Sequence, residues 1–177
     1  ASTWKNLDYK KRIKIIENFS NLLESNYKLL VEACIKEAGK TTNDAISDIR
    51  EAIDFCRYYC VIAKDLFKEV ELPGPTGEIN NYSFKGKGLS VVISPWNFPI
   101  AIFTGQLVAT LVTGNVVLAK PAEQTSYCAY IVFKLLLKAG LPNQAACLIL
   151  GKGEDIGPQL FSNNNLENIV FTGSLNT

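Results

Sequence analysis

The chain has 177 residues, 47% of them hydrophobic, enough for one domain that buries on the order of 70% of its unfolded surface. Its 18 Lys and Arg against 17 Asp and Glu leave a formal charge of +1, which supplies no field to draw in a nucleic acid or a membrane. There is no histidine, so Ser–His and Cys–His catalysis are excluded within these residues and zinc finds no partner set.

The amino-terminal Ala-Ser-Thr-Trp-Lys has no basic segment leading into an apolar one. No stretch approaches about 18 consecutive apolar residues, so a soluble, cytoplasmic chain is expected. Between about Leu7 and Leu23, the residues Ile13, Ile16, Phe19 and Leu23 recur at the spacing of one helical face. Asn26 interrupts, and a second helix carries Leu30, Ala33 and Cys34 until Gly39 ends it. Thr41-Thr42-Asn43-Asp44 offers N-caps for a third helix, with Ile46, Ile49, Ile53, Cys56 and Cys60 inward and its end near Phe67. These helices, residues 1–70, form a covering layer. Cys56 and Cys60 lie one turn apart, but without histidine or C-x-x-C they read as packing. With Cys34, Cys128 and Cys147 they make an odd set in apolar surroundings, which suits reduced thiols.

Leu72-Pro73-Gly74-Pro75-Thr76-Gly77 is too rich in proline and glycine for a helix or a central strand, so a turn or boundary falls there. Glu78–Lys85 and the segment from Leu89 read as two strands joined through Gly86-Lys87-Gly88. Strands at 89–94, 115–120, 146–150 and 168–171 then alternate with helices at about 99–112, 126–139 and 154–162. Short apolar strands alternating with helices predict an α/β fold whose four-stranded, mostly parallel sheet is a Rossmann-like βαβαβαβ unit over 89–177. Thr125 or Ser126 can cap the helix that Gly140 and Pro142 stop.

In such sheets ligands bind beyond the carboxyl ends of the strands. The first strand ends in Ile93-Ser94-Pro95-Trp96-Asn97-Phe98-Pro99. Flanking prolines stiffen the backbone around Asn97, so its amide is held at a fixed angle and can donate to a developing oxyanion. It can equally cap the helix that begins near Pro99. The second strand ends in Lys120-Pro121-Ala122-Glu123, where Lys120 and Glu123 read either as ligand contacts or as a surface ion pair. Gly151, Gly153 and Gly157 follow the third strand with the spacing G-x-G-x-x-x-G, which departs from the dinucleotide G-x-G-x-x-G and reads as a turn or a phosphate cradle. Phe171-Thr172-Gly173-Ser174 ends the fourth: Gly173 permits close backbone approach and Ser174 can hydrogen-bond a phosphate, although a simple turn would use the same residues.

Ile93 to Gln106 (I-S-P-W-N-F-P-I-A-I-F-T-G-Q), Ala119 to Thr125 (A-K-P-A-E-Q-T), Phe171 to Ser174 (F-T-G-S) and Glu37 to Lys40 (E-A-G-K) together closely resemble the aldehyde dehydrogenase superfamily. With Gly74 to Glu78 (G-P-T-G-E), the likeness is nearest the aldehyde-oxidising region of bifunctional proline utilisation enzymes, the L-glutamate γ-semialdehyde (Δ1-pyrroline-5-carboxylate) dehydrogenases. The resemblance spans nearly the whole chain. It implies an NAD-binding domain of that family, with cofactor contacts at Ile93, Ser94, Pro95 and Trp96, at Gly151, Gly153 and Gly157, and at Phe171, Thr172, Gly173 and Ser174. It implies that Lys120 donates to the adenosine ribose and that Glu123 accepts from both ribose hydroxyls while repelling a 2′-phosphate, which favours NAD over NADP. Asn97 matches the catalytic asparagine. Residues 75–88 match the β-arm of the family's oligomerisation element; an ordinary edge hairpin predicts the same pattern.

Members of the family attack the aldehyde with a cysteine thiolate, pass hydride to NAD and hydrolyse the thioester with a glutamate base. Both residues lie downstream of F-T-G-S in the family, and none here matches either. The chain therefore reads as the amino-terminal part of an L-glutamate γ-semialdehyde dehydrogenase, one incomplete NAD-binding domain without the catalytic domain. By itself it is expected to oxidise no aldehyde and to self-associate; a complementing carboxyl-terminal chain would have to supply the rest. The other reading is a non-catalytic remnant or split-gene module that folds and binds NAD weakly or not at all. An aldehyde is a partner only of the complete enzyme, and no metal, nucleic-acid or membrane partner is expected.

Overall fold

A computed structural model describes residues 2–175. Helix α1 (Ser2–Lys5) is one turn, too short to leave a periodic signal, and is pinned by Trp4, whose buried indole N–H donates to Leu111 O at 3.1 Å. Helix α2 (Tyr9–Ser25) starts at Asp8, which accepts from Lys10 N at 2.7 Å, and stops at Asn26. Helix α3 (Tyr27–Ala38) ends where Gly39 turns left-handed at φ 64°. Helix α4 (Thr42–Leu66) is capped by Thr41, whose hydroxyl accepts from Asp44 N and donates to the Asp44 carboxylate. The apolar faces read from the sequence are buried, with one exception: Ile46 is only half-buried, and the neighbouring Ala45 takes the inner place.

Strands β1 (Val70–Leu72) and β2 (Asn80–Tyr82) form a separate antiparallel pair, Val70 opposite Tyr82. This corrects the expected hairpin between Glu78–Lys85 and Leu89. The chain reverses one segment earlier, through the proline and glycine run, so the hairpin spans 70–82. A β-branched segment such as Leu89–Ile93 buries more between two core neighbours than beside the polar Asn80-Asn81.

The main sheet contains β3 (Leu89–Ile93), β4 (Val116–Lys120), β5 (Ala146–Leu148) and β6 (Leu166–Phe171). Between them run α5 (Ala101–Val112), α6 (Ser126–Lys138), preceded by a 3₁₀ turn at Glu123–Thr125, and α7 (Gly153–Phe161). The order is β5-β4-β3-β6, every pair parallel. The chain therefore steps outward from β3 to β4 and β5, then returns to the other side of β3. Helix α5 is buried nearly all round because it lies between the helical layer and the sheet, with Phe103, Leu107 and Leu111 fully buried. No helix among the described residues is long and apolar enough to cross a membrane.

Candidate functional site

Successive strands are added on one side of β3 and then on the other, and this switch point opens a crevice beyond the carboxyl ends of the parallel strands. Its volume is about 1160 Å³. Ile93 sits opposite Lys120 on one side and Phe171 on the other. Ser94 N donates to Lys120 O at 3.3 Å and Thr172 N to Ile93 O at 3.0 Å, which stitches the three strand ends together. The walls are Ile93, Ser94, Pro95, Trp96 and Asn97 from β3, Lys120 and Glu123 from β4, Gly153 and Gly157 from α7, and Phe171, Thr172, Gly173 and Ser174 from β6. Of the residues singled out in the sequence, only Gly151 does not border the crevice; it turns the chain into α7 at φ 146°. Phe161 and Ile169 also line it, and their signals were a four-residue step from Gly157 and a two-residue step from Phe171.

Asn97 is exposed, and no hydrogen bond holds its carboxamide among the described residues. The capping role that competed for it is filled elsewhere. Helix α5 begins at Ala101 with Ile100 in the cap position and no local side-chain cap. The Ala101 N–H instead donates to Asp48 Oδ1, on α4, at 2.8 Å.

Lys120 is 5% exposed, and its ammonium donates to Pro121 O at 3.2 Å and lies 3.6 Å from Glu123 Oε2. A surface ion pair does not describe it, because one partner has left water and needs the other. The Glu123 side chain is 44% exposed, so its carboxylate stays open to the crevice. Ser94 Oγ is buried without a partner among the described residues. At Gly173 the turn passes close to the half-exposed Phe171 ring, which an added Cβ would meet at 2.7 Å and displace. Gln106, the last residue of the I-S-P-W-N-F-P-I-A-I-F-T-G-Q run, donates through Nε2 to Thr172 Oγ1 at 3.0 Å and ties α5 to this turn. At the start of α7, Glu154 and Asp155 already complement the helix dipole, which weakens the phosphate cradle suggested by the glycine spacing.

Helix α6 is capped at long range too. Glu37 accepts from Tyr127 N at 2.8 Å and from Cys128 N at 2.7 Å. Thr125 takes the cap position without a capping bond, its hydroxyl buried and unpartnered among the described residues, and Ser126 Oγ donates to Glu123 O at 3.0 Å. Both expected caps are therefore corrected. A carboxylate that takes two N–H groups at once outcompetes a hydroxyl that takes one. The E-A-G-K segment thus sets the Glu37 carboxylate against the first turn of α6, Gly39 at the end of α3, and Lys40 3.3 Å from Asp48 and 4.4 Å from the Phe98 ring centroid.

No cysteine lines the crevice. Burial raises the Cys56 thiol and pushes Cys60 up to about 11. Cys128 is raised first by its hydrogen bond with Cys34, then by burial and by Glu37. A nucleophilic thiolate needs the opposite shift. Among the described residues no three His, Cys, Asp or Glu side chains converge as a metal site would require.

The four-stranded parallel sheet with helices on its faces, and a switch-point crevice edged by a lysine–carboxylate pair and an unpaired amide, define an open α/β domain. The chain belongs to the aldehyde dehydrogenase family, whose family model matches residues 1–177. The bifunctional protein PutA of Salmonella typhimurium is 40% identical over 174 residues, which are 98% of this chain and 12% of that protein. A mutant of 1-pyrroline-5-carboxylate dehydrogenase from Thermus thermophilus superposes with a TM-score of 0.95 at 35% identity, covering 99% of this chain and 34% of that one. An NAD-dependent benzaldehyde dehydrogenase from Corynebacterium glutamicum superposes with a TM-score of 0.88 at 29% identity, covering 98% of this chain and 38% of that one. The chain spans only a minor part of the length of each of these relatives.

Proposed function

We propose that these residues are the cofactor-cradling part of an NAD-dependent dehydrogenase that oxidises L-glutamate γ-semialdehyde to glutamate. The observation that carries this reading is the meeting of Asn97 with the Lys120–Glu123 pair in one crevice, from the ends of adjacent strands. The pair fits a ribose diol. An ammonium has three donors, and Lys120 commits one to Pro121 O while leaning on Glu123; the half-exposed carboxylate can accept from two hydroxyls. A 2′-phosphate would meet that carboxylate charge to charge. NAD, when bound, supplies the hydride acceptor. Asn97 donates its carboxamide to the oxyanion that forms when a nucleophile adds to the aldehyde carbonyl. The substrate assignment is supported by the names of the PutA and 1-pyrroline-5-carboxylate dehydrogenase relatives.

No cysteine lines the crevice, so these residues by themselves cradle the nucleotide without supplying the thiolate that aldehyde oxidation requires. Self-association runs through the 70–82 hairpin, which overlaps the expected 75–88 arm and exposes Val70, Leu72, Ile79 and Tyr82. Calorimetric titration with NAD and NADP tests the cofactor reading. The chain should prefer NAD, and Glu123→Gln should narrow the preference by about tenfold. Equal affinity for the two nucleotides, or a preference untouched by the substitution, would overturn it.

A further inference from the structure

Asp48 lies mid-helix on a face otherwise built from Ala45, Ile49 and Ala52, and it is fully buried. Packing alone would favour an apolar residue there, because a buried carboxylate is costly unless paired and hydrogen-bonded. Its partners explain it. Oδ1 accepts from Ala101 N at 2.8 Å, and Oδ2 lies 3.3 Å from Lys40 Nζ and 3.8 Å from the Cys34 thiol that donates to it. The Lys40 ammonium, itself mostly buried, also stands 4.4 Å from the centre of the Phe98 ring. The pair therefore grips the β3–α5 turn at two points, Phe98 and Ala101, on either side of the buried Pro99 and Ile100. Asn97 immediately precedes the first of these points. Its carboxamide has no bond of its own among the described residues, so its direction is inherited from the turn.

We propose that Asp48 and Lys40 are positioning residues that hold the Asn97 carboxamide at a set angle over the crevice, Asp48 through the start of α5 and Lys40 through Phe98. The mechanistic meaning of that angle rests on the oxyanion role proposed for Asn97. The anchoring itself is a property of this chain and can be measured without substrate or nucleotide, whereas Asn97→Ala in an active longer enzyme tests the oxyanion role by turnover. The two can therefore fail separately.

Amide hydrogen exchange and ¹⁵N relaxation on the chain carry the test. In Asp48→Ala, exchange at Ala101 N–H should rise by about tenfold or more, and the Asn97 side-chain amide should gain nanosecond motion, while amides of α2 and β4 change far less. Asp48→Asn keeps an acceptor, so it should restore Ala101 protection yet leave the Phe98–Asn97 end loosened. Lys40→Met should loosen Asn97 with Ala101 still protected. These two milder variants decide the matter if Asp48→Ala does not fold. Asn97 relaxation unchanged in Asp48→Asn and Lys40→Met, or a rise in exchange uniform over all elements, would overturn the proposal.

Discussion

Helices α5 and α6 both start at the crevice edge of the sheet, and in each a carboxylate from the helical layer, rather than the cap residue, accepts from the first turn: from one N–H in α5 and from two in α6. The two carboxylates are held differently. Asp48 is fully buried, spends one oxygen on a single N–H and carries Lys40 as counter-cation. Glu37 is half-buried, takes two N–H groups with two oxygens and has no cation partner among the described residues. The difference follows from solvation: a carboxylate still touching water needs only hydrogen bonds, whereas one removed from water needs a countercharge. Deep burial makes the α5 anchor stiff and fragile, and partial exposure makes the α6 anchor weaker and tolerant.

That contrast is open to breakage at three strengths. The largest effect is expected from Asp48→Ala, which strands the Lys40 ammonium and the Ala101 N–H; chemical denaturation should show a loss of about 3–5 kcal/mol. A loss below about 1 kcal/mol would mean that the pair behaves as an exposed one. Glu37→Ala removes a cap beside solvent, so the same measurement should give about 1–2 kcal/mol, and a loss equal to that of Asp48→Ala would erase the distinction. Thr125→Val, which replaces the buried hydroxyl with a methyl of the same size, should cost less than about 1 kcal/mol despite the residue's place at a helix start, because that hydroxyl bonds to nothing among the described residues. A large loss there would return the α6 cap to local chemistry.

Much of the fold is legible in the sequence. The boundaries between α2, α3 and α4 follow from Asn26, Gly39 and Thr41, each acting within a few residues of itself, whereas the Asp8 cap of α2 emerged only in the structure. The strand and helix alternation after Leu89 follows from short β-branched runs between helical periods, and β5 and β6 differ from expectation only at their ends. The crevice was largely legible because its residues come in contiguous runs at successive strand ends, and parallel connections bring such ends to one edge. Asp48 was not: on the page it is one more charge within a charged helix, and nothing in its neighbours marks it as buried.

The sequence by itself determined which segments are helix or strand, where they stop, and which runs meet at the sheet edge, since backbone preferences and side-chain periodicity act over a few residues. Only the tertiary structure decided that β6 returns beside β3, that β2 pairs with β1, and that Asp48 and Glu37 reach helices 53 and 90 residues away. Those contacts join groups far apart in the chain, and their worth depends on how much water each loses when the layers close, a quantity no local pattern encodes.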